Sequence, residues 1–487
     1  MGEGVAEPGV DPPPAGAEGS GVTSRPHSGP VGVGVVGRVE RRGVEAVPAA
    51  ARHGRASTQF TLWLGSNLTI ADFALGGLAV TLGLSWGWTL AALVVGNLLG
   101  SAAVGACAAM GPVRGRPQLV QGSSAFGRLG ARLPALLNYV STLGWLAVNT
   151  VLGAEALRIL LPSLPYVGAV VLLVAIQGIL AVVGHDLVHA FERAMSVALG
   201  VVFVVVSVAL IERGALARHL APLRPAHAGA PLGATLVLLA AAFSYVASWA
   251  PYASDYSRYL PRSTPLVRVG LAAAAGNFLA SLWLELVGVA VSALAGASLS
   301  PVEGLRRAAG PVGEAAVVAI VLGAVAANAL NVYSNGLAAG ALGVRLPRPL
   351  LAAVAAAAGL AAAAVGAGAF EARYEAFLLS LGYWVTPWLA VVLVDFASER
   401  RSRRAEGAGE RITRPGERPV RWGPLLVFVG AGLASIPFMD CPYYEGPVAR
   451  LLGGGDVSYF VAFGLAVAAS LLLASTRHPR RLGRLAP

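Results

Sequence analysis

Residues 244–263 read SYVASWAPYASDYSRYLPRS. They close a long apolar run and set Ser, Trp, Pro, Tyr and Asp where lipid-facing side chains belong. Pro251 has no backbone N–H to give, and the residue before a proline is biased away from helix. Non-helical backbone persists at membrane depth only where protein buries it or where it lines a cavity. The stretch has two explanations. Either a helix is broken to build a binding site near the bilayer midplane, as in transporters with discontinuous helices, or Trp249 and Tyr252 are interfacial aromatics and Pro251 ends the helix.

Composition sets the frame. Of 487 residues, 56% are hydrophobic and 13% charged, and the mean hydropathy is +0.68. Apolar runs fall at about 60–84, 86–110, 133–161, 166–183, 195–212, 232–250, 268–298, 313–342, 349–366, 374–396, 422–440 and 456–475. One crossing of a hydrocarbon core needs about 20 apolar helical residues, so these are twelve candidate spans of an all-α polytopic membrane protein. Residues 1–58, rich in Gly, Pro, Ala and Val, read as a disordered cytoplasmic tail without a signal peptide. A core of ten spans then occupies 59–396, a basic loop 397–421, two more spans 422–475, and a tail 476–487.

The net charge of +11 comes with 36 basic residues, all Arg. They are scattered among short loops instead of forming one patch, so they report topology and give no support to nucleic-acid binding. With the N-terminus inside, the even-numbered loops hold Arg114, Arg116, Arg128 and Arg132, then Arg193, Arg258 and Arg262, Arg345 and Arg348, and the run from Arg400 to Arg404. Arg213, Arg218 and Arg224 on the other side run against this pattern. Both termini inside, in a plasma (inner) membrane, is the expected arrangement. Cys107 and Cys441 have no partners at metal-ligand spacing.

Other spans decide between the two explanations. In the third, LNYVSTLGWLAVNTVLGAE sets Ser141, Trp145 and Asn149 at i, i+4, i+8, one aromatic and polar stripe on a helix. An indole face with an amide suits a planar heterocycle. In the eighth, AVAANALNVYSNGLA sets Asn328 and Asn331 one turn apart, followed by Ser334 and Asn335. One such Asn is explained by helix–helix hydrogen bonding; the combination with a Trp–Asn stripe and a broken Trp–Pro helix favours a site. The first span, TLWLGSNLTIADFALGG, gathers Gly65, Ser66, Asn67 and Thr69, with Asp72 following. The first and sixth spans are thus both interrupted, five apart, as in a five-plus-five inverted repeat. The repeat is read from hydropathy alone.

These residues resemble a known family. SWAPYASDYSRYLP, LPALLNYVSTLGWLAVNTVLGAEAL, NALNVYSNGLA and YEAFLLSLGYWVTPWLAVVLVDF look like the purine–cytosine permease branch of the nucleobase–cation symporter-1 family, over about Phe60 to Phe396. The resemblance implies twelve helices in a LeuT-type fold: a five-plus-five inverted repeat plus two C-terminal helices. It implies that Trp145 and Trp249 sandwich a nucleobase, that Asn149, Asn328 and Asn331 read its edge, and that Thr69 faces it. It places the backbone of Gly65 and Leu68 near the cation site of sodium-coupled relatives. Two departures stand out. The eighth-helix Ser and Thr of those relatives correspond to Val325 and Ala326, which favours a proton over sodium. Ser123 in QGSSAFG stands where relatives have an Arg, so a gating role of that loop does not carry over.

Proton coupling needs an ionisable group in the membrane. Asp72, Glu155 and Glu285 are the acids the sequence offers, and intramembrane acids are functional candidates by default; structural, hydrogen-bonded acids are the alternative. His185 and His189 are spaced i, i+4 in GHDLVHAFER, which reads as a short charged loop, so a metal site there is disfavoured. No His-Glu-x-x-His, Gly-x-Ser-x-Gly or phosphate-binding Gly-x-x-x-x-Gly-Lys motif occurs. An enzyme, an ATP-driven pump and a purely structural membrane protein therefore fit less well than a secondary transporter. The expectation is import of cytosine, purines or a related planar heterocycle (allantoin, hydantoin, uracil or a vitamin-like ring) with H+ or Na+ and no other cofactor.

Overall fold

The cluster Gly65-Ser66-Asn67 weakens the first span, and there the chain leaves the helix. In the computed structural model, which describes residues 1–2, 39–40, 42–214, 231–295, 299–366, 370–405, 418–441 and 443–477, α1 (Ser57–Asn67) and α2 (Ile70–Thr81) meet at a 60° bend. Leu68 leaves helical geometry and Thr69 is extended, its hydroxyl accepting from the Asp72 N–H at 3.4 Å. That is an N-cap, the usual way to satisfy a free donor at a new helix start.

The chain continues through α3 (Trp86–Arg114), the short helices α4 (Gln118–Gln121) and α5 (Ser123–Phe126), then α6 (Arg132–Leu160), α7 (Tyr166–Val183) and α8 (His185–Glu212). Next come α9 (Pro231–Ala247), α10 (Ala253–Ser257), α11 (Leu266–Ala295), α12 (Pro301–Ala308), α13 (Gly313–Leu342), α14 (Arg348–Gly366) and α15 (Phe370–Ala405). Then follow α16 (Trp422–Ala434), a two-residue hairpin of β1 (Asp440–Cys441) and β2 (Tyr444–Glu445), α17 (Pro447–Leu451) and α18 (Ser458–Arg477). Among the described residues nine helical spans are long and apolar enough to cross a membrane, α1 with α2 makes a tenth, and two shorter apolar helices cover Arg348–Ala363 and Trp422–Phe438. The apolar segments of the sequence thus each find a helix.

Three boundaries differ from expectation. The sixth span does not stop before Pro251: α9 passes through a 3-10 turn at Ala250–Tyr252 into α10, so the distortion lies inside the membrane-length segment. Pro251 withholds the N–H that would reach back one turn, and the chain tightens there. The stretch GHDLVHAFER is the start of α8, not a loop; Gly184 turns the chain at φ +109° and His185, Val188 and Glu192 face inward. The basic loop starts late, since α15 runs on to Ala405. Residues 3–38 and 41 of the expected tail, 406–417 of the loop and 478–487 of the C-terminal tail lie outside the described residues.

The stretch from Arg42 to Ala56, which composition assigns to the tail, is docked on one end of the bundle. The Val47 N–H donates to Gly115 O at 2.8 Å, His53 N–H to Tyr259 O at 2.6 Å, and Arg52 to Pro112 O at 2.6 Å. Glu40 ties the same end together: it accepts from His185 N–H at 3.0 Å and from the Tyr259 hydroxyl, and pairs with Arg258 at 3.5 Å. Burial alone would raise its carboxyl pKa; Arg258, His185 and Arg348 outweigh that and hold it below the ordinary value.

Glycine sets how closely the helices approach. A Cβ on Gly76 would fall 1.8 Å from Glu285 O, and one on Gly288 would fall 1.9 Å from Phe73 O. Helices α2 and α11 therefore cross backbone to backbone. On α8, Leu199, Phe203, Val206 and Leu210 are buried while Val197, Val201, Val204 and Val208 are exposed, a lipid-facing stripe.

Candidate functional site

The aromatic and amide residues singled out in the sequence meet near the middle of α6 and α13. Asn149 donates to Asn328 Oδ1 at 3.2 Å, and Asn331 donates to the same oxygen at 3.1 Å. Asn328 in turn donates to Leu146 O at 3.0 Å and to Thr150 Oγ1 at 3.1 Å. Its amide is used up, so Asn328 organises the site. The Tyr252 hydroxyl extends the chain by donating to Asn331 Oδ1 at 3.2 Å. All four groups are buried, and pairing of this kind is what keeps buried amides affordable in an apolar setting.

Aromatic rings close the network at both ends. Trp145 packs edge-on against Tyr245 and Phe377, each with ring centroids 5.1 Å apart. Trp249 packs against Tyr252 at 5.3 Å and edge-on against Trp63 at 5.5 Å. The two tryptophans occupy opposite ends of the amide chain and are not in ring contact with each other, and they are 4% and 5% exposed. Three polar atoms of this network have no partner: Trp63 Nε1 and Trp145 Nε1, both donors, and Asn149 Oδ1, an acceptor. Buried polar atoms are nearly always paired, so these atoms have hydrogen-bonding capacity that the described residues do not use.

Thr69 joins this centre from the broken first span, its hydroxyl 3.1 Å from the Tyr245 hydroxyl. Asp72 lies one turn on, accepting from Ser281 of α11 at 3.1 Å. Glu285 stands behind it on α11 and accepts from Asn97 of α3. At the break itself, a Cβ on Gly323 of α13 would lie 2.4 Å from Leu68 O, so the Leu68 carbonyl is pressed against α13. Val325 and Ala326, two and three residues further along α13, are buried and offer no side-chain oxygen there.

Other expectations fall elsewhere. Ser141 accepts from Trp384 Nε1 at 3.2 Å and belongs to packing against α15. Asn335 bonds Tyr139 O and Thr142 at 2.9 and 2.7 Å, and Ser334 bonds Tyr256, which makes both of them helix ties. Glu155 is only half-buried. Ser123 caps its own turn by donating to Val120 O at 2.7 Å, while Arg114 and Arg421 grip the neighbouring Ser124. His185 pairs with Asp186 Oδ1 at 3.0 Å, and the ring that joins it there is His53 at 3.2 Å, not His189. That hydrogen bond to Asp186 raises the His53 pKa above its ordinary value. These three side chains bring ligand atoms within 4.8 Å of one another, and His189 instead turns inward beside Tyr256.

Sequence reasoning missed Tyr245, Tyr252, Phe377, Trp63 and Glu192. Tyr245 and Trp249 stand one turn apart within the opening stretch, a signal of shared facing. Phe377 comes from a helix more than 200 positions away, which no spacing rule reaches.

A bundle with two interrupted spans and a buried aromatic–amide centre at its middle is a multi-pass membrane transporter. Residues 46–462 match the family described as permease for cytosine/purines, uracil, thiamine, allantoin, and the chain belongs to that family. The protein designated purine-cytosine permease YxlA of Bacillus subtilis is 30% identical over 92% of this chain and 98% of its own length. The purine-cytosine permease fcyB of Emericella nidulans is 28% identical over 89% of this chain and 88% of its own. Among solved structures, Mhp1, a nucleobase-cation-symport-1 family transporter in a closed conformation with bromovinylhydantoin bound, superposes with a TM-score of 0.71 at 18% identity. That superposition covers 89% of this chain and 95% of Mhp1, and it fixes the helical fold. The chain is a permease, not an enzyme.

Proposed function

We propose that this permease imports cytosine or a purine by symport with a proton, through alternating access around the centre formed by Trp145, Asn149, Trp249, Asn328 and Asn331. The observation that carries the reading is the orphan pair Trp145 Nε1 and Asn149 Oδ1 within a buried aromatic–amide network. Nucleobases present both donors and acceptors on the edge of a flat ring, the groups that a free indole N–H and a free amide oxygen can pair with. The names of the relatives point to the same substrates. Allantoin, uracil, hydantoins and vitamin-like rings share the flat polar edge and are the competing substrates.

A proton is preferred to sodium because Val325 and Ala326 bring no hydroxyl to the break, whereas carboxyl groups surround it. Asp72 is the acid next to the substrate centre: its backbone N–H donates to Thr69, whose hydroxyl meets that of Tyr245. The Arg-rich loops favour both termini on the cytoplasmic side of a plasma (inner) membrane. The test is uptake of labelled cytosine, adenine, hypoxanthine, uracil and allantoin into proteoliposomes under separately imposed proton and sodium gradients. Cytosine or a purine should compete best and accumulate on the proton gradient. Preference for allantoin or uracil would refute the substrate, and sodium-driven accumulation at fixed pH would refute the ion.

A further inference from the structure

Glu192 is fully buried on α8, two turns from its start, and neither carboxyl oxygen has a partner. Other buried acids around the broken spans each have one: Asp72 takes the Ser281 hydroxyl, Glu285 the Asn97 amide, Asp255 the Gln118 N–H. Removing an ionised carboxylate from water without a partner is prohibitively costly. Nothing that the described residues bring to Glu192 offsets a negative charge there.

What covers it is the first half of the first span. A Cβ on Gly65 would lie 2.6 Å from both the Glu192 carbonyl oxygen and Glu192 Oε2, so the carboxyl lies directly against the α1 backbone, one turn before Leu68. Helix α1 carries no charged residue. From α10, Tyr256 faces Glu192, its hydroxyl held by Leu330 O and Ser334 at 3.0 Å. From α8 itself His189 lies one turn away, its ring 6.2 Å from that of Tyr256. Helices α7, α11 and α13 also pack on α8, and among the described residues none of them contributes an ionisable group that acts on the Glu192 carboxyl. Arg193, the next residue on α8, is exposed, and among the described residues no hydrogen bond joins a cation to the Glu192 carboxyl.

The cover also touches the substrate centre. Trp63 of α1 packs on Trp249 at 5.5 Å and on Tyr256 at 5.9 Å. Docking of α1 thus positions the Trp249 platform and seals Glu192 in one movement.

We propose that Glu192 is a second proton site of this permease, on the α1 side of the break, protonated while α1 is docked and discharged when α1 tilts away and admits water. Asp72 lies on the other side of the break, so the two acids flank it. The proposal rests on the proton-coupled reading above.

The test compares wild type, Glu192→Gln and Glu192→Asp in proteoliposomes. Labelled substrate is followed by equilibrium binding, by counterflow and by accumulation on a pH gradient, with a trapped pH dye reporting protons moved. Glu192→Gln should bind and exchange substrate but lose accumulation and the dye signal; Glu192→Asp should regain part of both. If the Gln protein accumulates substrate as wild type does, the proposal is wrong and the proton reading stands. If wild type itself ignores the pH gradient, the proton reading fails first and takes this proposal with it. Infrared difference spectra cover the case of a misfolded Gln protein: the band of a protonated buried carboxyl should disappear from wild type as α1 opens and shift in Glu192→Asp. An unshifted band would overturn the assignment.

Discussion

At the scale of residues, Trp145 and Trp249 differ in what they lose. Base–aromatic stacking is worth about 1–3 kcal/mol per base, so either Trp→Ala should weaken substrate binding roughly 5- to 150-fold, measured by displacement of labelled cytosine. Trp145 also fills the space between Tyr245 and Phe377, so Trp145→Phe should recover part of the loss by restoring packing. The amides separate in the same way. Asn149 keeps a free acceptor, so Asn149→Ala should reorder cytosine, purines and uracil, because sites built to pair a polar edge discriminate most strongly on it. Asn328 has no free atom, and its loss strands two donors, which costs about 1–3 kcal/mol each. Asn328→Ala should therefore lower the melting temperature and depress all substrates together. The i, i+4 stripe made Trp145 and Asn149 legible in the sequence. That the Asn328 amide would be fully paired while Asn149 keeps a free oxygen was not legible, since it depends on Leu146 and Thr150 presenting acceptors from another helix.

At the scale of elements, the docked stretch from Arg42 to Ala56 answers to pH through His53. Its folded pKa lies above the ordinary 6.5 because it hydrogen-bonds to Asp186. A raised folded pKa stabilises docking fully below the unfolded value and loses that contribution as pH rises through the folded one. Glu40 gives the opposite slope: its folded pKa lies below 4.5, so its contribution is present above that value and is lost as pH falls through the folded one. The hydrogen-exchange protection of residues 42–56, taken relative to the intrinsic rate at each pH, should thus fall as pH rises through the folded His53 value, modestly because the His53 side chain is 40% exposed, and His53→Ala should remove that fall. Hydropathy found the helices and both interruptions, since lipid imposes a long apolar signal. It missed this stretch because docking rests on backbone hydrogen bonds and on Arg52, not on an apolar face. It misread the start of α8 for a related reason: two His, an Asp, a Glu and an Arg within ten residues look like a loop until helical spacing shows Glu192 turned inward beside Val188.

At the scale of the whole molecule, coupling asks which acid moves with the transport cycle. Asp72 is bonded across to α11, so Asp72→Asn should abolish accumulation on a pH gradient while leaving counterflow, because the amide mimics the protonated acid. Glu285→Gln is the control, an acid paired with Asn97 away from the substrate centre. Persistent accumulation by the Asp72→Asn protein would move attention to the Leu68 carbonyl and its cation chemistry. The crossing of α2 and α11 at Gly76 and Gly288 bears on the same question. Those helices touch through bare backbone, with no side chain between them to slide, so the second half of the first span is welded to the seventh. The first half crosses the seventh in the same way, since a Cβ on Gly276 would fall 2.3 Å from Phe60 O. It is a lever arm of 11 residues, about 16 Å long at helical rise, seated on the same rail as the half beyond Leu68. A tilt of about 20° about Leu68 carries its far end by about 5 Å, wider than a water molecule, so the Phe60–Gly276 crossing is the contact such a rotation has to part before water reaches the centre.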